Sequence, residues 1–431
     1  MARQMKNSGI EWVGDIPAHW QMVKINSICS TITDYVASGS FASLAENVQY
    51  LDEPDYAMLV RTMDVSGKGY SGKPVYINQH AYEFLANSNL FGGEIMLPNI
   101  GASVGDVYIV PKLYERMSLA PNSIMLRTTE YDKFIYYYFY CDAGRMSLLD
   151  IAQSTAQPKF NKTDFRQLRV ALPTKEEQQK IVKFLDGKCA EIDDIIQKTK
   201  ATIEEYKKLK LTLITNSIVK GIRGTRPMKD SGIDWIGNIP ADWKVRKGKW
   251  ILSRLERPVK EDDGVITCFR DGEVTLRSNR REDGFTISIQ EIGYQGIEPG
   301  DLVVHGMDGF AGAIGISDSR GKGTPVLSVL DSTENKKYIM YYLRNMAYNG
   351  IFLALSTGIR VRSCDTNWNK LKDLPYLVPS IDEQQEIADY LDKKCVEIDT
   401  LIEKKTALLA EMETYKKSVI YECVTGKKEV L

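Results

Sequence analysis

The side chains of this sequence that best suit ligand binding are Arg, Lys, Asn and Thr residues in turns between extended segments. The first half of the chain contributes Arg61, Thr62, Lys68, Lys73, Asn99, Lys159, Asn161 and Lys162. The second half contributes Arg270, Arg277, Arg280, Arg281, Arg360 and Arg362. A guanidinium can form two hydrogen bonds to a guanine edge, and Lys and Thr suit phosphate oxygens. These residues are candidate DNA contacts, and each of them also fits an ordinary solvated surface charge.

Motifs for catalysis are missing from the sequence. A phosphate-binding loop needs a hydroxyl residue after Gly-Lys, but Gly67–Pro74 has Pro74 there, followed by a segment that looks extended. The chain has no Pro-Pro pair, which adenine methyltransferases use, and no Gly-x-Gly-x-x-Gly run directly after a strand. Its three histidines are far apart and no Cys-x-x-Cys occurs. We therefore expect no catalytic site, cofactor or metal in this chain.

The composition is that of an ordinary globular protein. The chain has 431 residues and a formal net charge of −1. Residues 5–172 hold 14 Lys and Arg against 17 Asp and Glu, and residues 228–376 hold 21 against 20. A DNA-binding face would therefore require segregation of charge in space. No apolar run is long enough to span a membrane, and the seven scattered cysteines fit reduced thiols, so we expect a cytoplasmic protein.

Two segments of the chain occur twice. Residues 5–20, which include Ser-Gly-Ile-Glu-Trp-Val-Gly-Asp-Ile-Pro-Ala-His-Trp, return with conservative changes as residues 228–243. Residues 173–181, Pro-Thr-Lys-Glu-Glu-Gln-Gln-Lys-Ile, return as residues 379–387. The residues between these segments differ strongly between the two halves. A duplicated frame around two divergent inserts indicates one scaffold that presents two different surfaces.

Each closing segment begins a long helix with an apolar heptad pattern. In the first helix the apolar positions are Leu185, Cys189, Ile192, Ile196, Thr199, Ile203, Tyr206, Leu209 and Leu213, and Gly221 is the expected stop. In the second they are Leu391, Cys395, Ile398, Ile402, Leu409, Met412, Tyr415 and Val419, with an end at Gly426. Such stripes favour pairing of the two helices, antiparallel if the halves are related by a pseudo-twofold axis. The alternative is that each helix packs only on its own domain.

The inserts have a mixed α/β pattern. Strands are predicted at 57–61, 94–97, 107–110 and 123–127 in the first insert, and at 265–269, 286–290, 301–304, 313–317 and 326–329 in the second. Each insert also has a tyrosine-rich helix, at 133–141 and 337–348. We predict an α+β fold with an internal repeat. Its parts are domains at 1–174 and 223–378 and long antiparallel coiled-coil helices at 175–222 and 379–431.

The repeated segments resemble those of specificity subunits from type I restriction–modification systems. The resemblance rests on the twin Ser-Gly-Ile-x-Trp segments, on Leu172-Pro173-x3-Glu177-Gln178-Gln179 and its copy, and on the ending Val424-Thr425-Gly426-Lys427. It implies two target-recognition domains, each recognising half of a split double-stranded DNA site. It also implies that two adenine methyltransferase subunits, and restriction subunits, dock on the chain. S-adenosylmethionine, ATP and Mg²⁺ would then belong to those partners, and this chain would not be an enzyme.

Two other functions are alternatives to the one that this resemblance implies. A self-sufficient methyltransferase or nuclease would need the motifs that are missing. A protein-binding scaffold with two heads on a coiled coil remains an alternative, because neither insert is basic.

Overall fold

The computed structural model describes residues 3–66, 73–152, 157–280, 291–355 and 366–430. The chain forms two compact units. Unit 1 comprises Met1–Thr199 and Ala407–Leu431, and unit 2 comprises Lys200–Thr406. Each unit therefore contains one insert and part of both long helices. The α+β class predicted from the sequence is confirmed.

Unit 1 is built around two four-stranded sheets. The antiparallel sheet has the strand order Cys29–Asp34, Ser123–Thr128, Ile95–Pro98, Tyr108–Ile109. The other sheet has the order Tyr76–Ile77, Ala57–Val60, Met117–Leu119, Asn89–Leu90, with one parallel pair between its two central strands. Two ribbons complete the unit, Met5–Asn7 with Asp15–Pro17 and Gln21–Lys24 with Arg169–Leu172. The short helices of unit 1 are Ile25–Ile28, Phe41–Asn47, Thr62–Val65, Gln79–Phe84, Asp132–Tyr140, Asp142–Asp150 and Lys162–Gln167, with 3-10 turns at Tyr35–Ser38 and Ala86–Ser88.

Unit 2 repeats the antiparallel sheet of unit 1 in the same chain order. Its strands are Leu252–Arg254, Leu327–Ser332, Leu302–His305 and Ile314–Ile316. Four ribbons surround it: Met228–Asp230 with Asn238–Pro240, Lys244–Lys247 with Pro375–Val378, Ile266–Cys268 with Val274–Leu276, and Gln295–Ile297 with Gly321–Gly323. Its short helices are Lys336–Tyr348, Ile351–Ala354 and Trp368–Leu371, with 3-10 turns at Gly248–Trp250, Arg277–Asn279 and Gly309–Ala311. The predicted strand at 286–290 lies outside the described residues.

The tyrosine-rich helices pack against the sheets, as expected from their sequence. Tyr138 and Tyr338 are fully buried. The Tyr338 hydroxyl donates to the Leu377 carbonyl at 3.1 Å, and the Tyr342 hydroxyl donates to the Pro375 carbonyl at 2.6 Å. These bonds satisfy the buried hydroxyls of Tyr338 and Tyr342, whereas the Tyr138 hydroxyl has no hydrogen-bond partner among the described residues.

The two long helices extend over Lys175–Lys220 and Ile381–Val424. Acidic residues occupy the first turn of both, where they complement the helix dipole. The first helix stops at Gly221 as predicted; its φ of 73° is a left-handed value that favours glycine. The second ends at Val424; the Thr425 N–H still bonds to the Tyr421 carbonyl, and the predicted stop, Gly426, has a left-handed φ of 72°.

Within each unit the parts of the two helices pack against each other in antiparallel directions. In unit 1, Lys428 lies over the Phe184 ring and Lys416 pairs with Asp193. Residue numbers therefore fall along the second helix as they rise along the first, which means that the two helices are antiparallel. In unit 2 the same ordering joins Lys210 to Asp399 and Arg223 to Glu386. The helices also join each unit's core, through residues such as Leu185 and Leu391. Helix pairing and packing on the domains thus occur together.

The predicted heptad pattern is wrong at one position in each helix. Leu209 and Tyr415 are exposed, at 46% and 44%. The next residues, Lys210 and Lys416, are half-buried instead, and the ammonium group of each binds an aspartate of the opposite helix at 2.6–2.8 Å. A lysine can cover apolar surface with its stem while its charge is paired, which a count of apolar residues does not detect.

Candidate functional site

A repeated polar cluster begins each long helix and ties it to the opening segment of the same unit. In unit 2 the Glu383 carboxylate, 1% exposed, accepts from the Trp243 indole and from Arg226, both at 3.1 Å. The Arg226 guanidinium also lies 5.3 Å from the centroid of the Trp243 ring. A Cβ added at Gly221 would lie 2.8 Å from the Glu383 carboxylate, so the end of the first long helix packs directly against this cluster.

Unit 1 has the same cluster with one added group. Glu177 accepts from Arg3 at 2.6 Å, from Trp20 at 3.4 Å and from His19 at 3.1 Å. Burial alone would raise the pKa of Glu177, but the hydrogen bonds from His19 and Trp20 outweigh burial and lower it. Asp242 takes the place of His19 in unit 2 and lies 3.8 Å from Arg226. These clusters fix the start of each long helix to the opening segment of the same unit.

Four of the predicted contacts in unit 1 line one pocket with Asp34 and Arg166; they are Asn99, Lys159, Asn161 and Lys162. The Asn99 amide donates to the Phe160 carbonyl at 3.1 Å, and Asn161 caps the helix that starts at Lys162. The Lys162 ammonium is held by Asp34 at 2.7 Å. Lys159 is exposed, and among the described residues it has no carboxylate partner. It is therefore the cation of this pocket best placed to meet a phosphate.

Arg61 and Thr62 line a neighbouring groove of unit 1, and Lys73 lies close to Arg61. Arg61 forms two bonds to Asp64, at 2.8 and 3.0 Å, and another to the Lys73 carbonyl. Thr62 shares a 3.2 Å hydrogen bond with Ser123. The Lys73 side chain is 76% exposed and 3.9 Å from Glu53. Arg61 therefore has its planar edge occupied by Asp64, while Lys73 remains open to solvent. Lys68 lies outside the described residues.

Three candidates of unit 2 gather at one hairpin, and each is held by a partner from the protein. Arg280 pairs with Asp271 at 2.6 Å and with Glu273 at 2.8 Å. Arg270 pairs with Asp308 at 2.8 Å, and Arg277 donates to the Thr267 hydroxyl at 3.0 Å.

Paired arginines can still meet DNA, because Arg270 remains 59% exposed. Burial would raise the pKa of Asp271, but the Arg280 hydrogen bond outweighs it and lowers the pKa, so this pair stays ionised at neutral pH. Arg281, Arg360 and Arg362 lie outside the described residues.

One residue near this hairpin was missed by sequence reasoning. His305 accepts backbone hydrogen bonds at Nδ1 from Met307 and Asp308, at 3.3 and 3.0 Å. Burial lowers the pKa of His305, and Asp308 only partly opposes this, so the ring is neutral at pH 7. It orders the loop that carries Asp308, the partner of Arg270. A lone histidine has no sequence pattern that predicts this role.

Within the described parts of the chain, no group of three or more His, Cys, Asp and Glu side chains is arranged to hold a metal ion. In the same residues, no helix is long and apolar enough to cross a membrane.

Known proteins are similar to this chain over nearly its whole length. Residues 17–205 match a family model described as type I restriction modification DNA specificity domain. The specificity subunit assigned to the type I restriction enzyme MjaX of Methanocaldococcus jannaschii is 23% identical, over 97% of this chain and 96% of that protein. Residues 17–205 thus match a type I restriction specificity domain, and nearly the whole chain is similar to a specificity subunit. The description of the matched model concerns DNA specificity.

Two further proteins are similar to this chain. The MjaVIII specificity subunit of the same archaeon is 27% identical over 39% of this chain and 37% of its own length. Among solved structures, a chain from work on complex assembly and conformational transition of the type I R-M system matches with a TM-score of 0.66. It has 14% identity over 95% of this chain and 98% of that one.

The HsdS subunit of Thermoanaerobacter tengcongensis matches with a TM-score of 0.51 and 13% identity, over 96% of this chain and 98% of its own. At such identities the two structures establish the fold of this chain alone.

Proposed function

We propose that this chain recognises a split double-stranded DNA site, one half through unit 1 and the other half through unit 2. The observation that carries the proposal is the contrast between the units. They share an antiparallel sheet and the same cluster around Glu177 or Glu383, yet their candidate residues differ in type and in position. Two different surfaces on a repeated frame fit two different half-sites.

Each unit offers a different chemistry for DNA contact. The pocket of unit 1 carries Lys159 beside two amides, Asn99 and Asn161, a set that suits phosphates and adenine edges. The hairpin of unit 2 carries arginines, which suit guanine edges and phosphates. The half-sites are therefore expected to differ in sequence.

The proposal extends to the partners of the chain. Two adenine methyltransferase subunits would dock on it, one for each unit, and restriction subunits would join that complex. S-adenosylmethionine, ATP and Mg²⁺ would be bound by those subunits. The match to a specificity domain and the repeated frame support this stoichiometry, because a duplicated frame supplies two equivalent docking surfaces.

The proposal is tested by methylome sequencing in cells that express this chain with its methyltransferase subunit. Methylated adenines should appear in a motif of two short defined sequences separated by a gap of undefined bases. Native mass spectrometry of the purified complex should give two methyltransferase subunits to one copy of this chain. A continuous motif, or methylation that does not depend on this chain, would contradict the proposal.

A further inference from the structure

Unit 2 carries a row of cations that belongs to none of the predicted contacts. Lys244, Arg246, Lys247 and Lys249 are all exposed, on the strand Lys244–Lys247 and in the turn that follows it. Trp250 closes the row with 69% of its surface exposed. We call these five residues the basic ribbon.

The charges of the basic ribbon are not neutralised by the protein. Within the part of the chain that the structure describes, none of its four cations has a carboxylate partner. The arginines Arg270 and Arg280 of the same unit are both ion-paired. The Lys249 ammonium lies 5.4 Å from the centroid of the Trp250 ring. Four positive charges within six residues are thus exposed to solvent.

The backbone of the basic ribbon is held firmly in place. Its strand pairs along its full length with Pro375–Val378, most of which is buried. The turn is fixed by hydrogen bonds from Gly248 to the Leu374 carbonyl at 3.0 Å and from Lys249 to the Lys372 carbonyl at 2.7 Å. A Cβ at Gly248 would lie 2.2 Å from the Leu371 carbonyl, so the turn requires glycine. The cations are therefore presented from a rigid support.

Unit 1 lacks this feature although it has the same strand. The strand Gln21–Lys24 pairs with Arg169–Leu172 in the same way and carries one cation. That cation, Lys24, donates to the Gln167 amide oxygen at 2.7 Å. The basic ribbon is thus a property of the second insert and is not needed to build the repeated frame.

We infer that the basic ribbon binds the phosphate backbone of duplex DNA without regard to sequence. This inference rests on the proposed function and adds a contact that anchors unit 2. Four residues of strand extend about 10 Å, a length that matches about three phosphates of one DNA strand. A protein partner is disfavoured because Lys is depleted in the cores of protein interfaces. The exposed indole N–H of Trp250 supplies a further donor to phosphate.

The decisive experiment measures binding of the full chain to duplex DNA of arbitrary sequence at several salt concentrations. The variant K244Q/R246Q/K247Q/K249Q removes the four charges. A matched control, K183Q/K200Q/K208Q/K404Q, removes four exposed lysines of the long helices. Each lost phosphate contact lowers the slope of log affinity against log salt by about 0.9. The ribbon variant should lose about 3 to 4 from that slope, and the control should keep the wild-type slope.

Local contact is measured by the fluorescence of Trp250. Addition of DNA should change tryptophan emission in the wild type, and W250F should lose most of that change. Equal melting temperatures for the ribbon variant and the control would show that both are folded. A salt slope equal to that of the control, or loss of methyltransferase binding at an unchanged slope, would overturn the inference.

Failure of this inference can be told apart from failure of the proposed function. Phosphate contacts carry no sequence information, so the ribbon variant should methylate the same motif as the wild type, more weakly. If the wild type methylates no split motif, the proposed function fails while the salt slopes still decide the role of the basic ribbon. If the motif is split but the slopes are equal, only the ribbon inference fails.

Discussion

The two units of this chain share their core contacts and differ in their surfaces. Glu177 with Trp20 in unit 1 corresponds to Glu383 with Trp243 in unit 2, and Tyr137 bonds Asp186 as Tyr341 bonds Asp392. At the surface, unit 1 has a pocket of amides and lysines, whereas unit 2 has paired arginines and the basic ribbon. Contacts that position the helices are thus kept in both units, while residues that face solvent differ.

The largest expected effect on stability comes from the cluster around Glu383. Replacement of Glu383 with alanine should destabilise unit 2 by about 3–5 kcal/mol, because the largely buried Arg226 charge then keeps only Asp242, at 3.8 Å, as a carboxylate partner. The equivalent change E177A should cost less, because Glu177 is 27% exposed. Chemical denaturation of the full chain measures both. Equal losses for the two variants would show that the clusters are energetically alike despite their different burial.

A heptad inserted into both helices tests whether the frame sets the distance between half-sites. Seven residues after Thr199 and seven after Thr406 keep the apolar pattern and add about 10 Å of helix, close to three base pairs at 3.4 Å each. The gap in the methylated motif should lengthen by about three bases, with both half-sites unchanged. Methylome sequencing measures this directly, and an unchanged gap in an active complex would refute it.

Recognition by each unit can be changed separately. The double variant R270A/R277A should relax the half-site of unit 2, with a loss of about 1–3 kcal/mol of discrimination for each base contact removed. The pair N99A/K159A should affect the half-site of unit 1 in the same way. Each variant should leave the other half-site intact. Equal loss at both half-sites with a lowered melting temperature would mean that these residues support the fold instead of recognising DNA.

The same test applies to Arg360 and Arg362, which the sequence places in a loop before the last strand of the second insert. Replacement of both with alanine should relax only the half-site assigned to unit 2. Methylome sequencing with a melting curve decides between base contact and loop support.

The smallest expected effects come from the ion pairs between the helices. Lys210 with Asp399 and Lys416 with Asp193 are partly exposed, so each should contribute about 0.2–1 kcal/mol. Double-mutant cycles with K210M/D399L and K416M/D193L should give similar coupling energies, since the two pairs are equivalent in the repeat. A difference of more than about 1 kcal/mol between the cycles would show that the equivalence is only geometric.

The sequence predicted well those features that depend on local pattern. Short apolar runs predicted strands such as Ala57–Val60 and Leu302–His305, and the acidic first turn and Gly221 predicted the two ends of the first long helix. The partial burial of Lys210 and Lys416 could not be predicted in this way, because it depends for each lysine on an aspartate of the opposite helix.

The ion pairs of surface arginines can be predicted from the sequence only when the partners are close in the chain. Arg61 lies three residues before its partner Asp64, a pairing that is visible in the sequence. Arg270 is paired with Asp308, 38 residues away, and only the fold brings them together. The basic ribbon could not be predicted, because the sequence does not show which cations lack an acidic partner. Predictions of which cations contact DNA therefore remain to be tested by mutation.

Replacement of one insert by the other tests most directly whether the two inserts are interchangeable DNA-recognition modules between the repeated segments. In this chimera, residues 244–378 of unit 2 are replaced by residues 21–172 of unit 1, and the frame segments are left in place. Methylome sequencing should then show a motif with the half-site of unit 1 at both ends, in inverted orientation. A motif that keeps its original second half-site would contradict the account, because sequence choice would then lie outside the inserts.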